Sequence, residues 1–174
     1  MKKVLLLNPP GRRLYIRDYF CSKVSQADYL TQPVDFIMLS GILSRDYDVR
    51  FIDAIAGKLS AAMTLREIRE LDPFAVISLF GAVSLVEDLA FAEKVRKICG
   101  GAKIVGIGDA FRAGGEKYLG AGSPLDAILL DFTTPDLARY LVGDHDAVIN
   151  MLIRGNGGVR PARMERGPAR FDLP

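Results

Sequence analysis

Short aliphatic runs recur along the chain, each followed by a stretch with helical spacing, and this alternation leaves few folds open. The runs are Lys3–Leu7, Asp48–Ile52, Ala75–Leu79, Lys103–Ile107 and Asp126–Leu130. A strand buried on both faces reads as a continuous apolar segment, and strands that alternate with helices form parallel sheets covered on both sides. The pattern therefore predicts an α/β fold with a doubly wound, mainly parallel sheet. The chain has 174 residues, 49% of them hydrophobic, which suits one domain with a real core.

Helix signals fall between the strands. Pro33 opens a helix expected to run through Arg45, proline being suited to a first helical position. Thr64 to Glu67 fits a capping box for a helix ending at Leu71, and Ser84 to Glu87 fits a second. The helix after Ser84 has a stripe of Leu85, Leu89, Ala92 and Val95-Ile98, and Gly100-Gly101 stops it. A weaker helix is expected around Phe111 to Leu119, and Thr134-Pro135-Asp136 starts a last one to Val142. After Gly143 the rhythm changes. Ala147–Arg154 and Val159–Met164 read as a hairpin turning at Asn156-Gly157, with Pro161 confining the second strand to a sheet edge. The expected divisions are a sheet domain over residues 1–143, a β-hairpin extension over 144–166, and a linker over 167–174 towards a further domain. Residues 9–32, with three Tyr and Arg12-Arg13, form a long irregular stretch of the kind that often carries function.

Composition excludes several classes. The apolar stretch Val4–Leu7 is too short for a signal peptide and Pro9-Pro10 ends it, so a cytoplasmic protein without a membrane span is expected. Cys21 and Cys99 cannot form a disulfide scaffold or a four-ligand metal site, and His145 is the only histidine. A net charge of +2 gives no argument for nucleic acid. Residues 154–174 carry +3 of it, leaving the body at −1, so the tail is a basic linker or a contact for an acidic partner.

In doubly wound sheets, ligands bind beyond the carboxyl ends of the strands, near the point where strand order reverses. That rule selects Asn8, Pro9, Pro10 and Gly11 after the first strand and Asp53 after the second. It then selects Ser78, Phe80, Gly81 and Ser84 around the third, Gly106, Gly108 and Asp109 at the fourth, and Asp131, Phe132 and Thr133 at the fifth. No dinucleotide fingerprint or Walker loop is present. The first turn is Asn-Pro-Pro-Gly, whose prolines lack the amides that cradle pyrophosphate, and Gly106-x-Gly108 lacks a third glycine and reads as glycine used for close packing. Asp53 can bind a ribose hydroxyl or cap its own turn. Asp109 and Asp131, with Asp53, could form a small carboxylate-based site, with a metal-dependent hydrolase as its natural form. His145, between Asp144 and Asp146, reads as a polar surface loop, and both cysteines read as free thiols.

The segments KKVLLLNPP, PVDFIMLSGILSRDYDVRFIDA and DPFAVISLFGAVSLVEDLAFAEKVRKICGGAKIVGIGDAF together resemble the N-terminal cobalamin-binding-type domain of radical S-adenosylmethionine enzymes. That class includes proteins like the anaerobic magnesium-protoporphyrin ester cyclase and cobalamin-dependent methyltransferases. The resemblance covers roughly residues 2–120. It implies a five-stranded Rossmann-like (flavodoxin-like) sheet with cobalamin across the strand ends. Asn8, Pro9 and Pro10 would border the corrin, Ser78 through Ser84 would line the nucleotide-tail pocket, and Gly106, Gly108 and Asp109 would form the late glycine turn. The chain departs from the pattern at three places. The Asp-x-His-x-x-Gly loop that ligates cobalt is missing, Gly108-Asp109 stands where a Gly-Gly pair is usual, and Asp131-Phe132-Thr133 replaces a glycine-rich turn. The cluster-binding Cys-x-x-x-Cys-x-x-Cys triplet is absent, so a 4Fe–4S cluster and S-adenosylmethionine would belong to a domain beyond Pro174. The implied function is an accessory, cobalamin-binding domain, not catalytic alone, partnered by a C-terminal radical S-adenosylmethionine domain. The alternative is a degenerate interaction module that keeps the fold without the cofactor. The hairpin edge is the expected contact for a homodimer.

Overall fold

The computed structural model describes residues 1–26, 30–155 and 157–163. The elements are β1 (Lys3–Asn8), β2 (Tyr15–Ile16), β3 (Lys23–Val24), α1 (Val34–Leu43), β4 (Asp48–Asp53), α2 (Ala61–Leu71) and β5 (Ala75–Leu79). They continue as α3 (Leu85–Ile98), β6 (Lys103–Ile107), β7 (Ala127–Leu129), α4 (Asp136–Val142), β8 (Met151–Gly155) and β9 (Gly158–Arg160). Among the described residues the main sheet has seven strands in the order β4-β1-β5-β6-β7-β8-β9. The first five pair in parallel, and β8 and β9 are antiparallel. This is the expected mixed α/β, Rossmann-like architecture with a C-terminal hairpin. The hairpin does not stand apart: β8 pairs with β7 and continues the same sheet.

The alternation of side chains along β1 explains the two layers. Val4 and Leu6 enter a core with Phe36, Leu39 and Leu43 of α1 and Leu137 and Leu141 of α4. Leu5 and Leu7 enter the opposite core, with Ile68 of α2, Phe91 and Val95 of α3, and Phe111. Successive strand residues point to opposite faces, so a strand covered on both sides must be apolar throughout.

Several local expectations change. The α1 helix ends at Leu43, two residues before Arg45. The N-cap of α2 is Ser60, not Thr64: the Ser60 hydroxyl accepts the Met63 N–H at 3.2 Å, and Thr64 sits buried one turn in, donating to the Ser60 carbonyl at 2.9 Å. At α3 the Ser84 hydroxyl donates to Asp88 rather than capping, and Glu87 turns outward to Arg12 and Tyr15. The Thr134 hydroxyl donates to the Asp131 carbonyl, and Pro135 is the N-cap of α4. The Phe111–Leu119 helix is replaced by 3-10 turns at Asp109–Phe111 and Gly115–Leu119, broken by Gly114 in the left-handed region at φ 71°. A further 3-10 turn at His145–Ala147 delays β8 to Met151, and β9 ends at Arg160 because Pro161 has no N–H to pair. Asn156, Met164 and the linker over 167–174 lie outside the described residues. Within 9–32, expected to be irregular, β2 and β3 pair as an antiparallel ribbon, Tyr15 opposite Val24.

Replacing Ser60 by Ala removes a true cap, so Ser60→Ala is expected to cost about 1 kcal/mol in urea-unfolding stability, with no loss of cooperativity.

Candidate functional site

The strand order reverses between β1 and β5: the chain leaves β1 towards β4 on one side and β5 towards β6 on the other. The crevice beyond those two strand ends is where such folds place a ligand. Here residues 12–25 lie over it as a strap carrying the β2–β3 ribbon. Arg17, only 3% exposed, reaches into the crevice. Its Nε and Nη2 donate to the Asp88 carboxylate, at 3.1 to 3.2 Å and 2.7 Å. Its Nη1 donates to Asn8 Oδ1 at 3.0 Å and to the Pro9 carbonyl at 2.9 Å. Asp88, 1% exposed, also accepts from Gly81 N at 3.0 Å and Ser84 Oγ at 2.7 Å. Burial raises the Asp88 carboxyl pKa, against the opposing pull of Arg17, Ser84 and Gly81.

The rest of the strap is tied along the strand ends. Tyr15 Oη donates to Glu87 at 3.0 Å, and Glu87 also accepts the Arg12 amide at 3.0 Å. The Arg12 bond holds the Glu87 pKa low, while burial and the Glu87 bond raise that of Tyr15. The Ser22 amide donates to Asp109 Oδ2 at 2.6 Å, and Ala82 N donates to Asp109 Oδ1 at 2.8 Å. The Tyr19 hydroxyl donates to the Leu130 carbonyl. Its ring meets Phe132 edge-on at 5.1 Å and Phe20 at 5.1 Å.

The structure brings most of the selected residues to one end of the sheet, where the side chains of Asn8, Asp53, Ser84, Asp109, Asp131 and Thr133 are already hydrogen-bonded. Asn8 Nδ2 donates to Asp53 Oδ1 at 2.9 Å, and that oxygen also accepts the Ile55 and Ala56 amides at 3.0 and 2.9 Å, so Asp53 caps its own turn. Asp131 Oδ1 accepts from the Thr133 amide and hydroxyl at 2.8 and 2.7 Å. Ser78 and Gly106 are the exceptions: they lie buried inside β5 and β6, opposite each other, with Leu7 on the far side of Ser78. Asp53 and Asp131 serve the local backbone, Asp109 accepts the amides of Ser22 and Ala82 from two distant segments, and no group of three metal-ligating side chains forms among the described residues. His145 is half-buried and stacks on Tyr140 at 5.1 Å, so it is not the free surface residue expected.

The two glycines of the late turn serve close packing. A Cβ on Gly106 would lie 2.7 Å from Phe111, whose ring also packs 5.0 Å from Phe80. Gly108, at φ 136°, lets its backbone close on Phe80; a Cβ there would lie 2.1 Å from the Phe80 carbonyl oxygen. With the Phe111 ring over Gly106 and the strap over the strand ends, these residues do not fit a corrin and its tail. Beside the crevice there remains a cleft of about 330 Å³ between Pro10–Arg12, Leu59–Ala61, Glu87, Phe91 and Lys94.

Sequence reasoning missed Arg17 and Asp88. One signal was available: Asp88 falls three residues after Leu85 and four before Ala92, on the apolar stripe of α3, where a carboxylate needs a buried partner. Nothing local marks Arg17 as that partner.

Replacing Arg17 leaves Asp88 buried and unpaired. Arg17→Met is expected to cost about 3–5 kcal/mol by denaturant unfolding, and Arg17→Met with Asp88→Leu to recover part of that. A loss under about 1 kcal/mol would show that the pair does not hold the strap. Asp35, in the first turn of α1 and 3% exposed, has Oδ2 without a hydrogen-bond partner. Burial, with Asp18 nearby, raises its pKa from 3.8 to about 6. The native state then keeps a proton that the unfolded chain releases, so this contribution is present in full below 3.8 and lost as pH rises to about 6. Asp35→Asn is expected to flatten the fall in stability across that window, measured by urea unfolding at successive pH values.

Compared with protein-family models and with curated proteins, the chain finds no match.

Proposed function

We propose that this chain is an accessory module of the type that precedes the catalytic domain in radical S-adenosylmethionine enzymes, and that it acts as a closed scaffold rather than as a cobalamin carrier. Its partner in this reading is a C-terminal radical S-adenosylmethionine domain, which would hold the 4Fe–4S cluster and S-adenosylmethionine, and its compartment is the cytoplasm. The placement beside radical enzymes rests on the resemblance of residues 2–120. The choice of scaffold over carrier rests on one observation, the Arg17 guanidinium buried in the crevice with its donors on Asp88, Asn8 and Pro9.

The physical argument is one of substitution. A ligand at a reversal point is normally held by strand-end polar groups and by amides at the following helix start. Here those groups hold the chain itself. A corrin would have to displace an ion pair and expose two buried charges, and desolvated charges stripped of their partners are costly. No helix of the described residues is long and apolar enough to cross a membrane. A small carboxylate enzyme is less well supported, because Asp53, Asp109 and Asp131 are each occupied by neighbouring backbone amides.

Titration with hydroxocobalamin, followed by desalting and visible spectroscopy, is the direct test. The expected result is an unperturbed ligand spectrum and no retention. Stoichiometric retention with a shifted spectrum would restore the carrier reading and require the strap to move.

A further inference from the structure

We infer that two copies of this chain pair through β4, antiparallel about a two-fold axis at Val49, with their α1 helices packed alongside. The two edges of the sheet are unlike. The β9 edge is blunted: it is three residues long and Pro161 follows it directly. The β4 edge is six residues long, contains no proline or lysine, and has no described strand on its far side. The Asp48 amide donates to the Lys2 carbonyl, so Asp48, Arg50 and Ile52 point their backbone groups at β1. The backbone groups of Val49 and Phe51 therefore face outward.

The helix above this edge is unusual for a surface helix. Apart from Asp35, Ser40 and Gly41, α1 is apolar all round, and a helix of that kind is normally buried on every side. Its inner face meets the core through Phe36, Leu39 and Leu43. Its outer face leaves Val34 62% and Ile37 54% exposed, and Phe51 of β4, edge-on to Phe36 at 5.7 Å, is 52% exposed. The Phe36–Phe51 contact ties the helix to the strand at this edge, with Val34 and Ile37 exposed on the same helix.

Charge complementarity points to a second copy as the occupant. Asp48 and Arg50 lie on one face of β4 and bond to each other at 2.9 to 3.0 Å, partly exposed. In an antiparallel pair centred on Val49, Asp48 of each copy lies opposite Arg50 of the other, so the same two charges meet their complements twice. On the other face, Phe51 lies opposite Tyr47. This register also satisfies the backbone, because the outward groups of Val49 meet their own copies and the Phe51 amide meets the Tyr47 carbonyl. A one-residue shift would put inward-pointing groups at the interface and forfeit both.

Analytical ultracentrifugation of the full chain from about 1 to 100 µM tests this. The expected species has twice the 19.1 kDa chain mass. Phe51→Glu is expected to give a monomer with an unchanged circular-dichroism melt. If that variant fails to fold, Ile37→Asp, on the outer face of α1, is expected to do the same. Asp48→Arg and Arg50→Asp are each expected to weaken pairing about tenfold or more, and the double swap to restore it, because the charges again face their complements. A monomer throughout overturns the inference. So does a dimer that survives both Phe51→Glu and Ile37→Asp, a double swap no better than the single variants, or a dimer abolished by Val159→Asp on the hairpin edge but not by Phe51→Glu.

Discussion

The buried pair of Arg17 and Asp88 organises the functional end of the molecule, because each charge is tolerable there only while the other is present. Moving either from water into a low-dielectric interior costs several kcal/mol, and attraction alone rarely offsets it. Here the geometry supplies the remainder: Asp88 takes Arg17 through Nε and Nη2 and also accepts Gly81 and Ser84, while the remaining Arg17 donor is used by Asn8 and Pro9. The pair thus joins the end of β1, the turn after β5 and the first turns of α3 to a strap that has little regular structure of its own. The ribbon of Tyr15–Ile16 with Lys23–Val24 is too short to stand alone, so its position is set by what it packs against.

That closure bears on function more than any single motif does. Strand-end residues such as Asn8, Asp53 and Asp109 have the chemistry of ligand-binding groups, and their positions are those that the fold rule selects. What they can bind depends on which of their atoms are free. Asp109 spends one oxygen on Ser22 and the other on Ala82, and Asn8 spends both ends of its amide on Asp53 and Arg17. The glycines follow the close-packing reading: Gly106 lies against Phe111 and Gly108 against the Phe80 backbone. Glycine permits close approach; it does not specify what approaches.

The two sheet edges extend the argument to assembly. Pro161 was legible in the sequence as an edge residue, and β9 does lie at the edge, shortened by it. The opposite edge could not be recognised from Asp48–Asp53 alone. Strand order, not local composition, makes it an edge, and strand order depends on how the crossovers pack.

The sequence by itself determined the layered α/β plan, the positions of the main parallel strands and most of the helices. The reason is physical: continuous apolar runs and 3.6-residue stripes are local records of which faces must leave water. It also determined which residues would gather at the strand ends, since that follows from strand direction and connection. It did not determine the caps at Ser60 and Pro135, where several polar residues compete within one turn and tertiary contacts choose among them. Nor did it determine what fills the crevice. Arg17 and Asp88 are 71 residues apart, and a pairing at that separation leaves no periodic trace. Only the folded chain decided that the charge needed at the reversal point would come from its own strap.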